Sequence, residues 1–314
     1  MPTDVSILIP TKNRPVLLDR LLNSINEQSF LNNNKIRCHI VDSSSNNKTN
    51  TMVSHWMDIS NRNLYIDYEF NGNDFQPIDN WALLLNKIST EYSKFMCDDD
   101  WLVDNALDEF MKNMDESISC IISNINLCFK NKTNDVNNYY DLSTGIVEPK
   151  NVLDSFLGLK SSIPVTQSAS LLRSDSLVES FNFSFKNLDC TNRLFGEDLT
   201  LNYFFAFKDR SSLHIEKALV NSWAGKDSLT LNSNLSILTY CNILSLDLLA
   251  KEFNFKYTKE QKKAIQHYLF TNNLKRLFNK DYGDIKYTGL LKPFPSFKKL
   301  YQFSKKNFYS FYKK

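Results

Sequence analysis

"VSILIPTKNRPVLLDRLLNSI", residues 5–25, is the stretch whose reading decides the fold. "VSILI" (5–9) is a mostly β-branched run stopped by Pro10, too short for a buried helix, and it predicts a central parallel strand. Helix signals follow directly: Asn13 as N-cap, Pro15 in the first turn, and Leu18, Leu21, Leu22 and Ile25 on one face. "IRCHIV" (36–41) reads as the next strand, ending at Asp42 and a polar loop, "DSSSNNKTN". Strand, helix and strand in this short span make a βαβ unit.

Outward from that unit the alternation continues. "LYIDYEF" (64–70) predicts a strand, 77–91 a helix with Ile78, Trp81, Leu85 and Ile88 on one side, and "SKFMC" (93–97) another strand. Asp98, Asp99 and Asp100 follow at its carboxyl end. Ligands of open α/β sheets bind beyond the carboxyl ends of strands, so Asp42 and the triplet are expected to face one crevice. After residue 118 the order loosens. "ISCIISNINLCF" and "VTQSASLL" (165–172) suggest strands, 135–149 lacks periodicity, and 196–209 predicts a helix opening on Gly196. Two more helical segments, 235–253 and 259–279, complete an α/β chain whose sheet is expected to be mostly parallel and flanked by helices. The expected division is a catalytic domain over 1–228 and a helical C-terminal region over 229–314.

With 314 residues, 42% of them hydrophobic, the chain can bury a full core and carry an appendage. Its six cysteines (Cys38, Cys97, Cys120, Cys128, Cys190, Cys241) show neither a CxxC pair nor zinc-type spacing, and "MPTDVSILIP" carries no basic leader, which predicts a reduced, cytoplasmic protein. No window holds the roughly 18 uninterrupted apolar residues of a transmembrane helix. Net charge is +2, yet residues 290–314 hold seven lysines and no acid, leaving −5 on the rest. That acidic remainder argues against nucleic acid as a partner.

Three adjacent carboxylates repel one another and are tolerated where solvent, hydrogen bonds or a cation relieve them. A solvated Asp-rich turn satisfies that condition. So does a cleft in which acids hold Mg²⁺ or Mn²⁺ against a diphosphate leaving group. The second acidic pair, Glu197 and Asp198, favours the cleft, because a carboxylate that takes a proton from a sugar hydroxyl must sit in the same cleft. First-turn acids also suit the helix dipole, which is expected to keep Asp198 ionised.

Three motifs in order resemble inverting glycosyltransferases of family 2: "VSILIPTKNRPVLLDRLLNSI", "DNWALLLNKISTEYSKFMCDDDWLVDNAL" and "GEDLTL". The resemblance covers roughly residues 4 to 225 and implies the glycosyltransferase A type fold. It implies Thr11 and Arg14 in the nucleotide-facing loop, Asp42 on the base, commonly uracil, and Asn80 and Asp98 toward the donor. Asp99 and Asp100 would hold the metal, Asp198 would be the catalytic base, and Glu197 would orient the acceptor or the helix start. The chain departs from the family pattern at Cys97, where relatives have the first acid of the metal motif, and at "SSS" after Asp42, where they often have Asp-Gly-Ser. It also lacks the His that relatives often carry after the Glu-Asp helix; Trp223 is read as covering the sugar instead, or as a core residue.

The tail, "FKKLYQFSKKNFYSFYKK", segregates aromatics from lysines on a predicted helix and suits an anionic membrane surface. The functional expectation is transfer of a sugar from a nucleotide-sugar donor, UDP by preference, to a glycan or lipid-linked acceptor in bacterial surface polysaccharide synthesis. The protein would lie at the inner face of the cell membrane. A nucleotidyltransferase is the enzymatic rival, although "PTKNRP" has no glycine to cradle a triphosphate. A nucleic-acid-binding protein acting through the tail is the rival from another class.

Overall fold

The run at 5–9 is a central strand in the computed structural model, which describes residues 3–72, 77–129, 137–138, 143–159, 163–187, 196–225 and 235–278. β1 (Asp4–Thr11) leads into α1 (Pro15–Asn26), whose Leu18, Leu21, Leu22 and Ile25 are all buried. Asn13 does not cap α1. It takes a positive φ of 58° and uses its Oδ1 to accept the Ser45 backbone N–H at 3.0 Å, joining two loops instead.

β2 (Lys35–Asp42) follows, and then α2 (Lys48–Ile59), a helix that occupies part of the stretch expected to be a polar loop. Its apolar signal is thin because only Thr49, Val53 and Trp56 are buried, and Trp56 is fixed by its indole N–H donating to Asp19 at 2.7 Å. β3 (Leu64–Phe70), α3 (Pro77–Leu85) and β4 (Tyr92–Phe95) complete the first half. α3 stops short of the expected 91, giving way to i→i+3 turns at Asn86, Lys87 and Ile88.

β5 (Trp101–Leu102) and α4 (Ala106–Lys112) precede β6 (Cys120–Cys128), β7 (Asn137–Asn138), β8 (Gly145–Ile146) and α5 (Pro149–Phe156). The expected strand at 165–172 is a 3₁₀ turn over Gln167–Ala169 followed by β9 (Ser170–Arg173). Next come α6 (Ser174–Asn187), α7 (Glu197–Lys208), β10 (Ser212–Trp223), α8 (Leu235–Glu252) and α9 (Lys259–Phe278).

The strand order is β3-β2-β1-β4-β9-β6-β10-β5. β3, β2, β1 and β4 are parallel, and so are β6 and β10. β9 runs antiparallel between β4 and β6, and β5 runs antiparallel to β10, so the sheet is mixed, while its long ladders are parallel as expected. β9 follows the 3₁₀ turn over Gln167–Ala169 directly and runs back toward Arg173, which sets the residues before it at the carboxyl ends of its neighbours.

α8 packs on α7 through an unusually close approach. At Gly196 (φ +111°) an added Cβ would lie 2.5 Å from Ser245 Oγ and 3.2 Å from the Cys241 carbonyl. Only glycine satisfies both the conformation and the contact. Cys38, Cys97, Cys120 and Cys128 are thiols, not halves of disulfides. Among the described residues no helix is long and apolar enough to cross a membrane. The boundary expected at 228/229 and the basic tail lie outside the described residues.

Candidate active site

β4 ends at Phe95, and a tight turn from Cys97 to Asp100, closed by the Asp100 N–H on the Cys97 carbonyl at 3.1 Å, presents the acids. The three carboxylates escape mutual repulsion by pointing at different partners. Asp98 is buried and accepts from the Thr11 hydroxyl (2.8 Å) and from Arg14 Nη1 (3.1 Å). The same Arg14 nitrogen donates to Asp99 at 3.1 Å. Burial lifts the Asp98 pKa to about 6, with Arg14 and Thr11 opposing and the Asp99 charge adding to the rise.

Asp100, also buried, accepts the Trp223 backbone N–H at 3.1 Å and the Thr166 hydroxyl at 3.3 Å. Burial first and Asp99 second raise its pKa well above the usual carboxylate range. Asp99 is the more open of the three, and its backbone carbonyl accepts Arg20 Nη2 at 2.6 Å.

Glu197 and Asp198 open α7 behind Gly196, so the glycine that lets α8 approach also sets the direction of this first turn. Glu197 is buried and Asp198 partly exposed. The dipole does not keep Asp198 fully ionised. Burial, helped by the charges of Glu197 and Asp100, raises its pKa to about 7, against a partial pull downward from the Gln167 amide. The charge of Asp100 acts on Asp198, and the adjacent Thr166 and Gln167 bond to one each, so the two acidic motifs, separated by about a hundred residues of sequence, lie near one another. A carboxylate titrating near neutrality is suited to taking a proton.

Asp42, at the carboxyl end of β2, is fully buried, and both its oxygens are engaged within the protein. One accepts from the Ser44 backbone N–H at 2.8 Å and the Ser44 hydroxyl at 2.5 Å, the other from Tyr68 Oη at 2.8 Å. Ser43 in turn pairs with Asn80, which also accepts from Asn71 at 3.3 Å. The serines of "SSS" therefore organise the loop around Asp42 and Asn80. Trp223, read as covering a sugar or as core, is partly exposed and lines a cavity of about 590 Å³ with Arg20, Glu27, Trp101 and Asn221. The Arg20 guanidinium lies 3.8 Å from the Trp101 ring centroid and 5.1 Å from that of Trp223.

Several residues of the site carried no sequence signal. Lys94, fully buried beneath the triplet, donates to the Ser168 carbonyl and, at 3.0 Å, to the Ser170 carbonyl. Burial lowers its pKa to about 7, with the Asp100 charge opposing. Thr166, Gln167 and Ser168 then touch Asp100, Asp198 and the Cys97 N–H respectively. A lysine alternating with Ser93 and Phe95 in a buried strand is the one cue that was available.

For a divalent cation the donor chemistry fits. Cys97 Sγ and one oxygen each of Asp99 and Asp100 lie within 4.8 Å of one another. Asp98, turned to Thr11 and Arg14, stands outside that group.

The model of the family described as "Glycosyl transferase family 2" matches residues 6–179, more than half of the chain. A GalNAc(5)-diNAcBac-PP-undecaprenol beta-1,3-glucosyltransferase of Campylobacter jejuni is 31% identical over 121 residues, 38% of this chain and 37% of that protein. Among solved structures, S. aureus TarS 1-349 in complex with UDP-GlcNAc aligns with a TM-score of 0.57 at 15% identity, over 86% of this chain and 80% of that one. Mannosyltransferase PcManGT from Pyrobaculum calidifontis, in complex with GDP-Man and Mn²⁺, aligns at 0.53 and 13% identity, over 91% and 77%. At such identities these structures share the fold, an α/β architecture of the glycosyltransferase A type. By the family match the chain belongs to glycosyl transferase family 2 and is a glycosyltransferase.

Proposed function

We propose that the chain transfers a sugar with inversion from a nucleotide diphosphate donor, UDP by preference, to a glycan or lipid-linked acceptor in bacterial surface polysaccharide synthesis. The observation that carries this reading is Asp198, a partly exposed carboxylate of pKa about 7 set against the acidic triplet. Asp198 takes the proton of the acceptor hydroxyl as its oxygen attacks the anomeric carbon, and the carbon–oxygen bond to the diphosphate breaks on the opposite face. One displacement inverts the centre. Asp99 and Asp100 would hold Mg²⁺ or Mn²⁺, which when bound neutralises charge on the departing diphosphate. Thr11 and Arg14, which hydrogen-bond to Asp98, would line the donor's path, with Asp42 and Asn80 shaping the wall for the base. Glu197 orients the acceptor or the start of α7, and Trp223 flanks the sugar.

The donor and acceptor classes are supported by the company the chain keeps: a fold relative captured with UDP-GlcNAc and a sequence relative named for an undecaprenol-linked acceptor. Residues 1–228 form the catalytic domain in this reading. Within the helical region expected over 229–314, α8 braces α7, and the basic aromatic tail would hold the enzyme at the inner face of the membrane.

A thermal-shift screen of UDP, GDP and their sugars, with and without Mn²⁺, tests the reading. A donor at 100 times its Kd is expected to stabilise the fold by about 2.7 kcal/mol. Indifference to every nucleotide diphosphate, with or without metal, would overturn it.

A further inference from the structure

We propose that Cys97 Sγ joins Asp99 and Asp100 as a ligand of the divalent cation, giving a mixed sulfur and oxygen site that favours Mn²⁺, Co²⁺ or Zn²⁺ over Mg²⁺. The proposal rests on the metal-dependent transfer argued above and adds to it the identity of a third donor and the resulting preference among cations.

Three observations carry it. The donor atoms are already gathered: the thiol sulfur and a carboxylate oxygen from each aspartate lie within 4.8 Å of one another. With bonds of about 2.3 Å to sulfur and about 2.1 Å to oxygen, two donors of one ion stand at most about 4.4 Å apart, so side chains gathered within 4.8 Å need only a small closing rotation to share it. Second, the backbone holds the thiol where it is. The Cys97 N–H donates to Ser168 Oγ at 2.9 Å, and its carbonyl accepts the Asp100 N–H at 3.1 Å, so the residue sits at the first position of the turn that displays the acids. Third, Cys97 is partly exposed, whereas Cys38 on β2 and Cys120 on β6 are fully buried. Core packing explains those two thiols and does not explain this one. Asp98, the triplet member with an arginine and a hydroxyl on its oxygens, is the one left outside the donor group.

A thiolate changes which ion is held. Mg²⁺ takes oxygen donors and keeps its waters, while a sulfur ligand strengthens binding along the series from Mn²⁺ toward Zn²⁺. On coordination the thiol proton passes to solvent.

The metal-free full chain, with UDP present, is titrated with Cd²⁺ and read by its ultraviolet sulfur-to-cadmium charge-transfer band. Mn²⁺ binding is followed separately by loss of the free-ion electron paramagnetic signal. The parent is expected to develop the band at one equivalent, and Cys97→Ser to lose it while its circular dichroism stays parental. Loss of a direct ligand is expected to weaken Cd²⁺ by at least the ~10-fold that outer-shell changes cost. Cys97→Asp, which restores an all-oxygen site, is expected to regain metal binding with the preference moved toward Mg²⁺. If Mn²⁺ binds and Asp99→Ala abolishes that binding, yet the cadmium band is the same in parent and Cys97→Ser, the sulfur ligand is wrong and the proposed function stands. If neither cation binds in any form of the protein, the metal reading falls and this inference with it.

Discussion

Asp198 is under two demands that pull in opposite directions. As a base it must be deprotonated, so transfer is expected to rise with pH through about 7 and then level off. For stability the sign reverses. A carboxylate whose folded pKa lies above its ordinary 3.8 makes the native state bind more protons than the unfolded chain, and its stabilising contribution is lost as pH rises from about 4 through about 7. Replacing it by asparagine removes that liability. Asp198→Asn is therefore expected to melt higher than the parent at pH 8, with the difference shrinking toward pH 5, in thermal unfolding of the metal-free proteins. An equal difference at both pH values would contradict the raised pKa. The acids themselves were legible as residues because carboxylates at strand ends are few. Their ionisation was not: at Asp198 burial and the charges of Glu197 and Asp100 outweigh the helix dipole, and local sequence does not reveal that α7 opens beside Asp100 in the interior.

At the scale of elements, the first βαβ unit was legible because each of its parts carries its own signal. The leucines of α1 repeat at helical spacing, and β1 is apolar on both faces. α2 was missed because two apolar side chains, Val53 and Trp56, hold it down, and β9 because four residues flanked by a 3₁₀ turn leave no period to read. α7 owes its position to Gly196. Gly196→Ala is expected to destabilise the fold by about 1–3 kcal/mol in urea unfolding, from the positive φ and from the clash with Ser245 Oγ. Adding Ser245→Gly should return the part due to the clash and leave the part due to φ. Full recovery in the double variant would show that the backbone conformation carries no strain. Lys94 ties β4 to the residues before β9, so Lys94→Met, close in volume, leaves the Ser168 and Ser170 carbonyls short of a donor. It is expected to lose about 1–3 kcal/mol. No change in the urea midpoint would contradict that anchoring role.

Across the whole molecule, the alternation of strands and helices made the α/β class readable, while the antiparallel insertion of β9 was not, because pairing partners distant in sequence leave no local trace. The C-terminal tail is proposed to set where the enzyme works. Removing residues 294–314 is expected to release the protein from anionic vesicles in a sedimentation assay without lowering turnover of a soluble acceptor analogue; unchanged co-sedimentation would assign the tail to packing instead. The central claim is that the two acidic motifs work as one site, with Asp198 the base, and single-turnover transfer measures it most directly. Asp198→Asn keeps the side-chain shape and removes its basicity, so transfer at pH 8 is expected to fall by about 10²-fold or more while donor and Mn²⁺ affinity, measured separately, stay parental. Glu197→Gln, whose side chain points about 100° away along the helix, is expected to lose less. Near-parental transfer by Asp198→Asn, or a larger loss at Glu197→Gln, would contradict the account.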